Sequence, residues 1–388
     1  MIPTLGRKAG MSLARRACRG ASAALVVLTI AAATASGASV RQAANPPTLA
    51  GTWVRLPAAP LGLVEEPTSV WTGSRMIVFG RVTDSSENGE IVSRLYQAAA
   101  YNPTSGSWRR LPGLDSKDAV YGYRAVWTGK EVLLWGQGTH AALDPATGRW
   151  RTLPAPPQDG AALVVWTGRE MIGWGGGCCG DAWATGAAYD PATNTWRRLP
   201  RSPLHGSQAP LGAWTGRELI VFVGGDNPDT GKAWPASLAS AAAYDPTSNS
   251  WRRIAPLPSP RVGASAIWDG DEVLVVGGGG ALHGFAYSPA ANRWRQLPHT
   301  ASRTGAIAAW TGKLLLVWGG RTANGRAILG QGTAFDPAAD HWLLLPPAPI
   351  HGRNGATAVW TGKQLIVWGG GDAYPPFTDG AAFTPRTR

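Results

Sequence analysis

The chain has 388 residues, of which 44% are hydrophobic and 15% charged, and its 36 Lys and Arg against 24 Asp and Glu give a formal net charge of +12. So much apolar content excludes a disordered chain, which cannot bury a core. The cations are scattered rather than gathered into runs, which argues against nucleic acid as a partner.

Residues 1–20 carry Arg7, Lys8, Arg15, Arg16 and Arg19 and no acid, and an apolar run from Ala21 to Ala35 follows, then Ser36, Gly37 and Ala38. A basic segment, a short apolar one and small residues, in that order, predict an export signal over residues 1–38. The run is shorter than the roughly 20 residues that span a bilayer, so cleavage is expected and retention as a membrane anchor is the alternative. Cys18 precedes the apolar run, which argues against a lipoprotein. Losing residues 1–38 leaves 31 cations against 24 acids, a net charge of +7. The expected product is a secreted or extracytoplasmic monomer without a stable membrane span. It has a flexible segment over residues 39–48 and one domain over residues 49–388.

That domain is repetitive. Trp-(Thr/Asp)-Gly recurs at Trp71, Trp127, Trp166, Trp214, Trp268, Trp310 and Trp360. A second series, Trp53, Trp108, Trp150, Trp196, Trp251, Trp294 and Trp342, advances by about 48 residues per step, a period typical of propellers and solenoids. The 3.6-residue periodicity of a helical solenoid is absent. Each unit reads as four short strands, as in YRAVWTG, KEVLLWG, AALDP and RWRTLP within residues 123–154. Short apolar runs bounded by Gly, Pro, Asn and Asp are strands, and Thr-Gly and Asp-Pro steps supply tight turns. The chain opens on a lone fourth strand (GTWVRLP, Gly51 to Pro57) and closes after a third one (GAAFTP, Gly380 to Pro385). Joining the two buries both edges at the seam. The expected fold is all-β, a seven-bladed β-propeller closed three plus one, with the N-terminal strand completing the last blade.

Gly-Gly pairs end the second strand at 175, 224, 277, 319 and 369, and Tyr-Asp-Pro-x-Thr/Ser-Asn-x-Trp follows as YDPATNTW (Tyr189 to Trp196) and YDPTSNSW (Tyr244 to Trp251). Over residues 49–385 this resembles the Kelch-repeat family, including its galactose oxidase and mutarotase propellers. Blades 1 and 2 depart from the pattern, with Gly80-Arg81 and Gly136-Gln137. The resemblance implies the fold and little about activity, because propellers host unrelated functions.

In such a blade the strand 1–2 and 3–4 connections share one face, here all tight turns (the turn face). The 2–3 and 4–1 connections share the other (the loop face), where the long segments 81–97, 226–240, 321–332 and 371–379 lie. Variable loops on a rigid scaffold carry function, so the site is expected on the loop face. Eighteen of the twenty Trp residues fit repeat positions; Trp183 and Trp234 are left over in 2–3 loops. They serve either as exposed anchors for a sugar or protein or simply pack their own loops. Arg261, Arg303 and Arg353 each stand seven residues before a turn Trp, and Arg124 enters the first strand of blade 2. They converge on an anionic ligand with His299 and His351 as added donors, or they bond loop carbonyls.

Cys178 and Cys179 are adjacent and are the only cysteines left after signal removal. A strained loop disulfide, a redox or soft-metal role and free thiols all stay open. Glu65 and Glu66 open blade 1 and offer an acid and a base, or a solvated pair. No metal-ligand spacing occurs among the His residues. The resemblance to galactose oxidase implies a copper site of two Tyr, two His and a Tyr-linked Cys, which no segment matches. No catalytic residue, cofactor or metal is assigned. The sequence supports a binding or interaction module for an extracytoplasmic carbohydrate, small anion or protein. The alternatives are a cofactor-free sugar-acid enzyme, such as the sialic-acid mutarotases the chain is similar to in fold and export, and a structural scaffold.

Overall fold

Apolar alternation bounded by turn residues leaves these segments one way to bury their side chains, which is strand against strand. The computed structural model describes residues 46–85, 91–115, 121–177, 181–224, 226–227, 232–233, 239–261, 263–279, 283–371 and 375–386. They form seven four-stranded antiparallel sheets and two short two-stranded ribbons, with no helix among the described residues. The inner strands, Glu65–Trp71, Tyr121–Trp127, Leu163–Trp166, Leu211–Trp214, Ala264–Trp268, Ile307–Trp310 and Thr357–Trp360, neighbour one another in a closed ring. The seventh sheet takes its outer strand, Gly51–Arg55, from the start of the domain, paired with Gly380–Pro385. The molecule is a seven-bladed β-propeller closed three plus one.

Second strands have a partner on both edges and a blade against both faces. They are accordingly buried along their whole length in Met171–Trp174, Leu315–Trp318 and Leu365–Trp368. Every first-to-second strand hairpin has the same register, from Trp71 opposite Met76 to Trp360 opposite Leu365. The turn Thr fixes it: Thr128 Oγ1 accepts from the Glu131 amide at 2.9 Å, and Gly129 sits at φ 97° where a side chain would be strained.

The outer-strand Trp series latches the ring. Each indole Nε1 donates to a backbone carbonyl of the preceding blade, at Pro346, Pro57, Pro112, Pro154, Pro200, Ala255 and Pro298 in turn, at 2.9–3.1 Å. Trp251→Phe keeps an aromatic ring, forfeits some packed area and deletes one latch, so urea unfolding should show a loss of at least about 1 kcal/mol. Blades 2 to 5 add a clasp on the turn face, where Glu131, Glu170, Glu218 and Glu272 pair with Arg151, Arg197, Arg252 and Arg295 at 2.6–2.7 Å. Arg151 and Arg197 reach on to Tyr189 and Tyr244 of the next blade.

Two details differ from the sequence reading. Segment 81–97 is not wholly loop, because Met76–Ser85 and Ile91–Asn102 continue past the sheet as a ribbon. Pro47 and Leu49 are tied to Leu344 by backbone hydrogen bonds at 2.9 and 2.8 Å.

Candidate functional site

The inner strands line the central channel, and their composition is uneven. Five of them, LVVW, LGAW, ASAIW, IAAW and TAVW, carry no charge, whereas EEPTSVW of blade 1 and YGYRAVW of blade 2 hold Glu65, Glu66 and Arg124. These are the two blades that lack the Gly-Gly pair. A bulge lies between Glu65 and Thr68, and Glu66 stands at φ 48°, a conformation costly for a side-chain-bearing residue. The buried Tyr123 holds that bulge from the neighbouring blade, its hydroxyl donating to the Glu66 carbonyl at 3.0 Å.

Arg124 follows Tyr123, and its side chain is exposed. Its Nε donates to the Ala162 carbonyl and Nη1 to the Tyr123 carbonyl, both at 3.1 Å, across the blade 2–3 seam. Nη2 has no hydrogen-bond partner among the described residues. Burial nonetheless holds this guanidinium below its usual proton affinity, with Glu66 and Tyr123 pulling the other way. The place of Arg124 in the inner strand Tyr121–Trp127 sets it at the channel. Burial raises the Tyr123 phenol well above its usual range, reinforced by Tyr96 and Glu66 and opposed by Arg81 and Arg124. Arg81 closes an ion pair with Glu65 at 2.5 Å, and the Tyr96 and Tyr123 rings meet edge to face at 4.9 Å. The loop-face mouth at blades 1 and 2 thus presents one available guanidinium donor beside one exposed carboxylate, set on a rigid aromatic and ionic base.

The other three arginines do not join Arg124. Arg261, Arg303 and Arg353 are 3%, 4% and 1% exposed and point into their own blades. Each donates to the carbonyl of the Gly at the end of its second strand (Gly277, Gly319, Gly369) and to that of the residue at or just before the start of its third strand (His283, Gln331, Asp379). Arg353 also pairs with the Asp379 carboxylate at 2.8 Å. Phe285 and Phe377 cover the guanidinium faces of Arg261 and Arg353 at 4.8 and 4.5 Å. Burial pushes Arg303 down to about 10, so it stays a cation at neutral pH. The convergent anion pocket expected of these three is therefore corrected to a repeated staple, because carbonyls left by the positive-φ glycines need donors.

His351 and His299 are exposed, the first stacked on Phe377 and the second edge to face with His283 at 5.4 Å, and neither is bonded to Arg124. Trp183 is half-buried and lies over Gly176, where a Cβ would meet its ring at 3.1 Å, so it packs its own loop. Trp234, Cys178 and Cys179 lie outside the described residues.

A fungal alcohol oxidase of the AA5 family, described as catalytically diverse and in complex with copper, is similar to this chain with a TM-score of 0.63, covering 88% of this chain and 77% of that one at 15% identity. No protein-family profile and no curated protein matches the sequence. At that identity the likeness shows the fold, a seven-bladed propeller of the galactose-oxidase-like type. Copper does not fit the described residues. Tyr96 and Tyr123 touch, but Glu66, Arg81 and Arg124 are the charges around Tyr123, and no three His, Cys, Asp or Glu side chains assemble a metal site among the described residues.

Proposed function

We propose that the chain is an exported binding module of Kelch type whose ligand is a small hydroxylated anion held at the loop-face mouth of the channel. The carboxylate or similar group of the ligand takes the Arg124 Nη2 donor, and its hydroxyls donate to Glu66. The observation that carries this reading is the confinement of all inner-strand charge to Glu65, Glu66 and Arg124. A carboxylate placed directly beside a cation selects for a ligand with both an anion and donors, which favours sugar acids over simple anions. The second reading, a cofactor-free sugar-acid mutarotase or epimerase, draws on the strained Glu66, since strain of this kind gathers at functional sites. Thermal melting against neutral sugars, uronic acids, sialic acid, sulfate and phosphate tests it, because a ligand of the folded state raises the melting point. Stabilisation by acidic sugars alone is expected. No shift with any of them would sink the small-anion reading and leave a protein-binding or structural propeller.

A further inference from the structure

The turn face carries no long loop, yet the clefts between its blades are unequal. The cleft between blades 3 and 4 encloses about 620 Å³, whereas the one between blades 1 and 2 encloses about 160 Å³. Blades 3 and 4 share the hairpin Trp-Thr-Gly-Arg-Glu, which sets Arg169 and Arg217 on neighbouring tips, both lining the larger cleft. The Glu of each tip is already engaged, Glu170 by Arg197 in a two-pronged pair at 2.6 and 3.2 Å and Glu218 by Arg252 at 2.6 Å. Arg169 is held only loosely, 3.6 Å from Asp190 with its side chain 85% exposed, and Arg217 has no ion-pair partner among the described residues. Thr193 and Thr195 share one hydrogen bond at 2.7 Å, Thr193 Oγ1 also donates to the Asp190 carbonyl at 3.5 Å, and Thr247 adds a third hydroxyl to the wall.

From this arrangement we infer that the blade 3–4 cleft on the turn face is a second binding site, for an anionic sugar whose charged group lies between Arg169 and Arg217. The cleft, at about 620 Å³, leaves room for more than a bare anion. Its hydroxyl-rich wall matches a sugar ring, and its free cations match a phosphate ester or a uronate. Both cations sit at hairpin tips whose backbone is fixed by Thr167 and Thr215, so only their side chains need order on binding. It is independent of the channel mouth.

Calorimetric titration of the full chain with glucose 6-phosphate, glucuronate, inorganic phosphate and glucose tests this. Binding of either anionic sugar above both glucose and inorganic phosphate is expected, and the two arms tell phosphate ester from carboxylate. The double variant Arg169→Gln, Arg217→Gln, exposed and outside the core, should melt as wild type and lose about tenfold in affinity, as for removal of a charged hydrogen bond. Binding that the double variant weakens and that persists in Arg124→Gln, apart from any loss at the channel mouth, separates the two sites. Equal binding of glucose, equal binding of inorganic phosphate, no binding of any probe, or a loss confined to Arg124→Gln would each overturn the assignment.

Discussion

Arg353→Met is expected to destabilise the propeller by about 3–5 kcal/mol, the cost of breaking a buried pair and leaving its acceptors unpaired. The side chain is 1% exposed and serves the carbonyls of His351, Gly369 and Asp379 together with the Asp379 carboxylate. Met fills most of the volume and supplies none of the donors. Urea unfolding measures the loss, and binding of sugar acids by whatever variant remains folded should be intact. A stable variant that no longer binds sugar acids would return Arg353 to the ligand and remove it from the staple.

Trp174→Ala should cost a similar amount, about 3–5 kcal/mol, through the cavity left in a packed core. The indole is fully buried against Ile172, Leu199, Leu219 and Trp251, whose ring lies 6.3 Å away. Its Nε1 has no hydrogen-bond partner among the described residues. Trp174→Phe, which forfeits area but no hydrogen bond, should therefore cost far less than Trp174→Ala. The outer Trp residues behave otherwise, since each gives its N–H to a carbonyl of the preceding blade. A melting comparison of Trp174→Phe with Trp174→Ala that found equal losses would mean the indole N–H is bonded after all.

The fold was legible because its determinants are local and repeated. Turn chemistry at Trp-Thr-Gly and Asp-Pro-x-Thr, and the orphan strands at Gly51 and Gly380, leave one closure. The Arg residues seven before the turn Trp of blades 5, 6 and 7 were legible as a set but not in direction. Whether a guanidinium faces a channel or a carbonyl depends on the glycines 16 residues ahead, which stop at φ 78°, 73° and 68° and turn their carbonyls inward. Arg124 differs because it stands three rather than seven residues before its turn Trp, within the inner strand opposite Trp135, a difference visible in the sequence whose consequence needed the fold. The role of Tyr123 was hidden for the same reason, as its partner Glu66 lies 57 residues away. The turn face looked featureless in sequence because every connection there is short; its cleft arises from the spacing of whole blades.

The most direct test of the account is the affinity of the sugar acid that most raises the melting point, measured by calorimetry for wild type and for Arg124→Gln. Arg124 is exposed and its loss leaves only the Ala162 and Tyr123 carbonyls to rehydrate, so the variant should melt within a degree or two of wild type. The account predicts a loss of about 1.5–3 kcal/mol in binding, the range for a charged hydrogen bond. Unchanged affinity in a normally folded Arg124→Gln would place the ligand elsewhere and contradict the channel-mouth site.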